Sequence, residues 1–269
     1  MNLHGKNAVI TGAAAGIGRA TALELAGEGT RLLIADIDED GLGETRTVIE
    51  AAGGRCLAMK VDVSDERQVR EMAEAAIDEL GCIDILVNVA GVTLLGEISD
   101  HSLEDWQWIA GINFWGPIYG VHHVLGHMIE RRSGHIVNVA SAAGLVAMPG
   151  NGSYCSTKFG VVGFSEVLSS ELYRHGIKVS LVCPAGVATD FEKNAVVRGL
   201  PQFVPGAYVK SHGRTPDYAA RKIAGAIKKE KFLVIIGYEA RLFYWLKRLS
   251  PFLYYRVGRG MAGRLDRWR

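Results

Sequence analysis

Tyr154 and Lys158 lie four residues apart where a helical pattern begins, so both side chains fall on one face, about one turn apart. A free phenol has a pKa of about 10 and is a poor base at neutral pH. A neighbouring ammonium favours the phenolate, as would a second cation bound in the same cleft. Lowering a phenol by two to three units takes roughly 3–4 kcal/mol, within reach of two positive charges in a partly dry site. A lone Tyr-x3-Lys pair usually marks only an amphipathic helix face, so its weight comes from its company. Ser141 lies 13 residues upstream, just past an apolar run, where its hydroxyl can bond the same substrate oxygen as Tyr154. Asn113 sits inside a long helical pattern, a poor place for asparagine unless it binds a water or distorts the helix locally.

A second group of residues fits a phosphate. The first apolar run leads into Thr11-Gly12-Ala13-Ala14-Ala15-Gly16-Ile17-Gly18, and a helix pattern follows at once. Glycines let the chain turn sharply and let a pyrophosphate approach the backbone. The helix start then offers free N–H groups and a positive dipole end to that anion, which makes Gly12, Gly16, Ile17 and Gly18 candidate cofactor residues. The spacing, Gly-x3-Gly-x-Gly, differs from the common dinucleotide fingerprint. Asp36 closes the second apolar run, 24 residues after Gly12. A carboxylate there accepts from both adenosine ribose hydroxyls and repels a 2′-phosphate, which favours NAD over NADP. Asp62 and Val63 end the third run, where an adenine edge should lie, and Asn88, Ala90 and Gly91 end the fourth.

The elements that must position these residues alternate. Candidate strands are 7–11, 31–36, 55–61, 83–88, 134–139, 178–183 and 232–236, with little polar alternation in Leu32–Ala35 or Ile83–Val87. Candidate helices are 17–28, 41–52, 65–80, 103–132, 154–174 and 216–229, the third with Ser64 as its N-cap. Gly29, Gly53, Gly81 and Gly176 fall where helices should end. Strand–helix alternation implies right-handed crossovers and an α/β fold, a doubly wound Rossmann-type parallel sheet of about seven strands flanked by helices. The expected organisation is one NAD-binding catalytic domain, 1–237, and a basic amphipathic C-terminal helical extension, 238–269.

Bulk properties narrow the class. A net charge of +1 argues against a polyanionic partner, and nucleic acid is disfavoured because the core is acidic. From Gly237 to Arg269 there are eight Lys/Arg against two acids, which leaves the remainder at −5. Cys56, Cys82, Cys155 and Cys183 form no CxxC pair and read as reduced thiols of a cytoplasmic protein. There is no signal-peptide pattern and no apolar window long enough to span a bilayer. His122, His123 and His127 carry no HExxH pattern or acidic partner in sequence, so no metal is expected.

Together these residues resemble the short-chain dehydrogenase/reductase family, in its branch of about 250 residues with a TGxxxGxG loop. The resemblance covers roughly Leu3 to Gly237 and rests on Thr11, Gly12, Gly16, Gly18, Asp62, Asn88, Ala90, Gly91, Asn113, Ser141, Tyr154, Lys158 and Pro184. It implies Tyr154 as acid/base and Lys158 as the holder of the nicotinamide ribose that also lowers the tyrosine. It further implies Ser141 as the substrate-orienting hydroxyl and Asn113 as part of a water relay. Cofactor contacts then extend to Pro184, Gly186, Val187 and Thr189, and hydride passes between nicotinamide and a carbinol carbon. Two positions depart from the family pattern: Val89 replaces a frequent second Asn, and Pro184-Ala185-Gly186 replaces Pro-Gly. A homodimer or homotetramer is implied, paired through the helices of Asn113 and Tyr154, and Trp106, Trp108 and Trp115 are compatible with this.

The stretch 190–215 contains Phe191, Val196, Val197, Leu200, Phe203, Val204 and Tyr208, and reads as an apolar lid over a hydrophobic carbonyl or alcohol substrate. Lys193, Arg198 and Lys210 are present, but no arginine cluster in this loop suggests a phosphorylated or dicarboxylic substrate. In the extension, Leu242, Phe243, Trp245, Leu246 and Leu249 give an apolar helical face among Arg241, Lys247 and Arg248. It packs over its own cleft or a neighbouring subunit, or it makes a peripheral membrane contact that would suit lipid-like or steroid substrates. A non-catalytic NAD-binding protein is the remaining alternative, opposed by the intact Ser141, Tyr154 and Lys158.

Overall fold

The computed structural model describes residues 1–189, 191, 194–200 and 213–263. Strand β1 (Asn7–Thr11) is wholly buried and leads through the glycine turn into α1 (Gly16–Gly27). Then follow β2 (Arg31–Asp36), α2 (Glu39–Ala51), β3 (Cys56–Lys60), α3 (Glu66–Leu80) and β4 (Ile85–Asn88). After β4 come a two-residue strand β5 (Leu94–Leu95), α4 (Leu103–Ala110), a π-turn (Gly111–Trp115) and α5 (Gly116–Arg131). Strand β6 (Gly134–Val139), α6 (Gly152–Leu172), β7 (Ile177–Pro184), a short β8 (Val196–Val197), α7 (Pro216–Lys229) and β9 (Leu233–Ile236) complete the core. Two further helices, α8 (Tyr238–Leu249) and α9 (Pro251–Ala262), form the extension.

Seven strands make one parallel sheet in the order β3-β2-β1-β4-β6-β7-β9. The chain runs outward from β1 to β3, then crosses back to place β4 on the other side of β1. Ligands of such sheets bind at the carboxyl ends of the strands where this direction reverses. In register, Thr11 stands beside Ala35 and Asn88, and Asn88 beside Asn138. The glycine turn and the segment after β4 therefore rise side by side at the switch point.

Burial on both faces explains the continuous apolar strands. Ala8, Ile10, Leu32, Ile34, Ile85 and Val87 pack with α1, α2 and α7, while Val9, Leu33, Ala35, Leu86 and Ile136 pack with α3, α5 and α6. Helix starts follow side-chain capping. Asp38 accepts from Gly41 N–H at 3.2 Å, Thr215 accepts from Tyr218 N–H at 3.2 Å, and Gly81 closes α3 at φ +84°.

Several expectations need correction. The cap of α3 is Asp65, whose Oδ1 accepts from Arg67 N–H at 3.0 Å and Gln68 N–H at 3.4 Å; the Ser64 hydroxyl instead donates to Asp62 at 2.7 Å. The single helix expected over 103–132 is two helices around the π-turn. Asp62 and Val63 lie just beyond β3, which stops at Lys60. The strands β5 and β8 pair with each other in a separate parallel ribbon that no local pattern announced. An acid does accompany the histidines: Glu66 of α3 lies 2.7 Å from His123 Nε2.

Candidate active site

The glycine turn is shaped as a cradle. Gly12 and Gly16 have φ of +70° and +55°, which side chains rarely adopt. A Cβ on Gly12 would meet Ala90 N at 2.7 Å, and one on Gly18 would overlap the carbonyl oxygen of Gly12. Thr11 ties the two sides of the switch point together, since its Oγ1 accepts from the N–H groups of Val89 (3.2 Å) and Ala90 (3.4 Å). Helix α1 begins after Ala15, which supplies no side-chain cap. Alanine is among the poorest N-cap residues, so the amides at Gly16, Ile17 and Gly18 are left for another acceptor. An uncapped helix start behind two left-handed glycines fits a dinucleotide pyrophosphate.

Asp36 stands at the end of β2 with its carboxylate turned to the turn: Oδ2 accepts from Ala14 N–H at 3.0 Å and Oδ1 from Asp38 N–H at 3.2 Å. Both bonds fix the carboxylate beside the cradle. Asp62 accepts the Ser64 amide at 2.9 Å, and the Val63 side chain packs where Gly116 leaves room. The Asn88 side chain is directed into the protein body. It donates to Asn138 Oδ1 at 2.9 Å, and Asn138 in turn donates to Ser165 Oγ at 3.0 Å. Val89, the departure from the family pattern, packs partly buried against the core.

Asn113 is fully buried in the π-turn rather than exposed on a helix face. Its amide clasps Val92 on both sides, accepting from Val92 N–H at 2.8 Å and donating to Val92 O at 2.8 Å. Thr157 Oγ1 lies 3.4 Å from its Nδ2, which links the π-turn to α6. Gly91 fills the narrow space between: a Cβ there would lie 3.1 Å from Asn113 Oδ1 and 3.4 Å from Lys158 Nζ.

Tyr154 and Lys158 lie in the first turns of α6, as their spacing requires. Lys158 is 3% exposed, and its Nζ lies 5.8 Å from the centroid of the Tyr154 ring. The ammonium donates to Val139 O at 3.3 Å. Burial lowers Lys158 to about 8, which still leaves it mostly an ammonium at neutral pH. The Cys183 thiol is pushed up to about 12 by burial and stays protonated. Ser141 follows two residues after Val139 and caps a short 3-10 turn, accepting from Ala143 N–H at 3.1 Å. That turn packs onto α6, for a Cβ on Gly144 would come within 2.6 Å of Lys158 O. Val139 and Gly144 thus hold the segment that carries Ser141 against α6, and Gly91 lies beside the Lys158 ammonium.

The space before Tyr154 is apolar. The ring clusters with Leu94, Ile109 and Ala143, flanked by Val92 and Val196, and lies 6.1 Å from the ring of Phe191. The ribbon of β5 and β8 holds Val196 in that wall, and Arg198 is bound by Asp105 through bonds of 3.1 and 2.9 Å. Arg198 is therefore committed to α4 and not to a substrate. After β7, Gly186 takes φ +53° and Thr189 reaches Gly16, whose added Cβ would lie 3.2 Å from the Thr189 methyl. Val187 bridges to Arg214, and Arg214 grips Glu239 at 2.7 and 2.9 Å. The lid expectation at 190, 192–193 and 201–212, with Phe203, Val204, Tyr208, Lys193 and Lys210, lies outside the described residues.

The extension packs on the core beside this cleft. Ala240, Phe243, Tyr244, Leu246 and Tyr254 join Leu145, Val146, Val161 and Val162 in one cluster. Lys247 donates to Leu145 O at 2.8 Å and lies over the Phe159 ring at 4.3 Å; Tyr254 donates to Ala147 O at 2.8 Å. Of the arrangements expected for the tail, packing over its own chain is the one these contacts show.

Thr11, Val92, Asn138, Thr157 and Gly144 were not singled out from sequence beyond the motif position of Thr11. Their roles depend on partners 14 to 79 residues away, which no local pattern encodes. Pro184 ends β7 at the same edge as the cradle, and Gly186 follows two residues later.

Comparison with known proteins agrees with this architecture. The family model for short chain dehydrogenases matches residues 6–197. The putative oxidoreductase SadH of Mycobacterium tuberculosis is 35% identical over 267 residues, 97% of each chain. A short chain dehydrogenase/reductase of Burkholderia phymatum, solved in complex with NAD, superposes with a TM-score of 0.87 at 32% identity, covering 94% of this chain and 96% of its own. A metagenomic short-chain oxidoreductase in complex with NADP gives a TM-score of 0.73 at 27% identity, covering 88% and 97%. With a family match across most of the sheet and a relative alike from end to end, the chain belongs to the short-chain dehydrogenase/reductase family, oxidoreductases acting on CH–OH groups.

Proposed function

We propose that the protein interconverts an apolar secondary alcohol and its ketone with NAD, using Tyr154 as acid/base. The observation that carries this reading is the buried Lys158 ammonium beside the Tyr154 ring, at the foot of an apolar wall. Bound NAD would accept hydride in oxidation and supply it in reduction. Residues 1–237 form the catalytic unit and 238–269 its extension.

Each residue has a task. The Tyr154 Oη takes the hydroxyl proton as the alcohol is oxidised and returns it in the reverse direction. Lys158 lies in low dielectric, where its charge favours a phenolate and its N–H groups suit a ribose diol. Ser141 orients the substrate oxygen by hydrogen bonding. The Asn113 amide is already satisfied by Val92, so its contribution is to fix the segment 88–92 and the main chain of the π-turn, where a relay water would bind. Gly12, Gly16, Ile17 and Gly18 receive the pyrophosphate, and Asp36 the adenosine ribose. Asp62, Val63, Asn88, Ala90 and Gly91 line the adenine and nicotinamide sides, with Pro184, Gly186, Val187 and Thr189 closing the far edge.

Val92, Val196 and Phe191 present hydrocarbon near Tyr154, which suits a ring or acyl-chain substrate. The NAD preference rests on the fixed carboxylate of Asp36. Exposed Trp108, Trp115 and Val167 on α4, the π-turn and α6 support a homodimer or homotetramer. Four free cysteines suit the cytoplasm. In Tyr154→Phe, NAD affinity should be retained while turnover falls about 100-fold or more. Near-normal turnover in that variant would defeat the assignment.

A further inference from the structure

Helices α8 and α9 have two unlike sides. The inward side, with Ala240, Phe243, Lys247 and Tyr254, is spent on the core. The outward side of α8 carries Leu242, Trp245 and Leu249 at spacings of three and four, which are 65%, 55% and 79% exposed. Helix α9 continues with Phe252, 78% exposed, and with exposed Leu253, Tyr255, Val257 and Met261. An apolar surface of this extent on successive helices is unusual for a face left in water.

The charges beside it are of one sign. Arg241, Arg248, Arg256 and Arg259 are exposed among these apolar residues, and no Asp or Glu occurs between residues 240 and 263. Arg256 and Arg259 line a depression of about 480 Å³ together with Phe252 and Tyr255. A two-fold contact with a second copy of this chain through the same patch would set these arginines against each other with no local carboxylate to answer them. No helix of the described residues is long and apolar enough to cross a membrane.

We propose that the outward face of α8 and α9 is a docking surface for an anionic lipid membrane. Leu242, Trp245, Leu249 and Phe252 enter the boundary between headgroups and acyl chains, and the four arginines meet lipid phosphates. The inward side of the same helices holds the segment 145–147 that follows Ser141, so docking brings the apolar cleft close to the bilayer. The proposal stands on the extension alone and is read without turnover.

The test is co-sedimentation of the full chain with phosphatidylcholine vesicles, with and without phosphatidylglycerol. Wild type should bind vesicles with ~30 mol% anionic lipid at least ~10-fold more than neutral ones, and several-fold less as NaCl rises from ~0.1 to ~0.5 M. A triple Leu242→Glu, Trp245→Glu, Phe252→Glu variant should lose binding, and a double Arg256→Ala, Arg259→Ala variant should lose the preference for anionic lipid. An unchanged melting temperature in either variant separates lost docking from lost folding. Absence of vesicle binding by wild type overturns the proposal, as does binding that both variants retain. So does a wild-type dimer that dissociates in the triple variant without any lipid binding.

Discussion

Asp36 does two things with one carboxylate. It holds Ala14 N–H at 3.0 Å, shaping the turn, and it brings a negative charge to the place where an adenosine ribose would lie. A 2′-phosphate there would face that charge with no cation on the adjoining Ile37. Asp36→Ala should therefore weaken NAD binding by about 10-fold or more while NADP binding weakens less, so the ratio of the two affinities falls. Titration of each dinucleotide against both proteins measures this, and an unchanged ratio would remove the charge argument. At this scale two local expectations were legible: glycines with φ above zero in the turn, and Tyr154 and Lys158 side by side at the start of α6. What stayed hidden was commitment. Nothing in the one-dimensional pattern shows that the amide of Asn113 is used up on Val92, that Asn88 faces Asn138, or that Arg198 is taken by Asp105.

The strands and their helices were readable because both sheet faces are buried and each strand becomes an uninterrupted apolar run. The exceptions have physical causes. The helix expected across 103–132 breaks because Gly111 and Gly116 permit close approach and Asn113 prefers the Val92 backbone to solvent. Strands β5 and β8 are two residues each and pair across about a hundred residues, beyond any periodicity. Strand β6 also carries a titrating group. His135 is buried, and its Nε2 lies 2.8 Å from Ser180 Oγ. Ser180 donates its own proton to Lys231 O at 2.7 Å, so His135 must donate through Nε2, leaving Nδ1 without a partner among the described residues. Burial lowers His135 from 6.5 to about 4. The unfolded chain then takes up a proton near pH 6.5 that the folded chain refuses until about pH 4. Stability from this residue is full above pH 6.5 and is lost as pH falls toward 4, by up to about 3 kcal/mol. His135→Gln should flatten the loss of melting temperature over that window. An identical acid slope in the variant would assign the loss to other groups.

Across the whole molecule, the extension is the least readable part. Its stripe at 240, 243 and 244 and its stripe at 238, 242, 245 and 249 both carry apolar or aromatic side chains, so periodicity alone could not say which side meets the core. The structure buries Tyr254 and anchors Lys247, whose ammonium is lowered by its own burial, on the segment after Ser141. Removing residues 238–269 would expose Val146, Val161 and Ile235 and free that segment. The truncated chain should melt about 5–10 °C lower. Its KM for alcohol should rise more than its kcat falls, because the loss is in how the cleft wall is held. Calorimetry and steady-state kinetics together check this, and an unchanged KM would show that the extension does not support the cleft.

Ala15 offers one more consequence. A helix that opens on alanine leaves its leading amides to be completed by whatever anion arrives, so α1 is finished only when the protein is loaded. Resistance to unfolding is then coupled to the supply of dinucleotide, rising with the logarithm of its concentration above the dissociation constant. A cell short of that cofactor would hold not only a slower catalyst but a more perishable one.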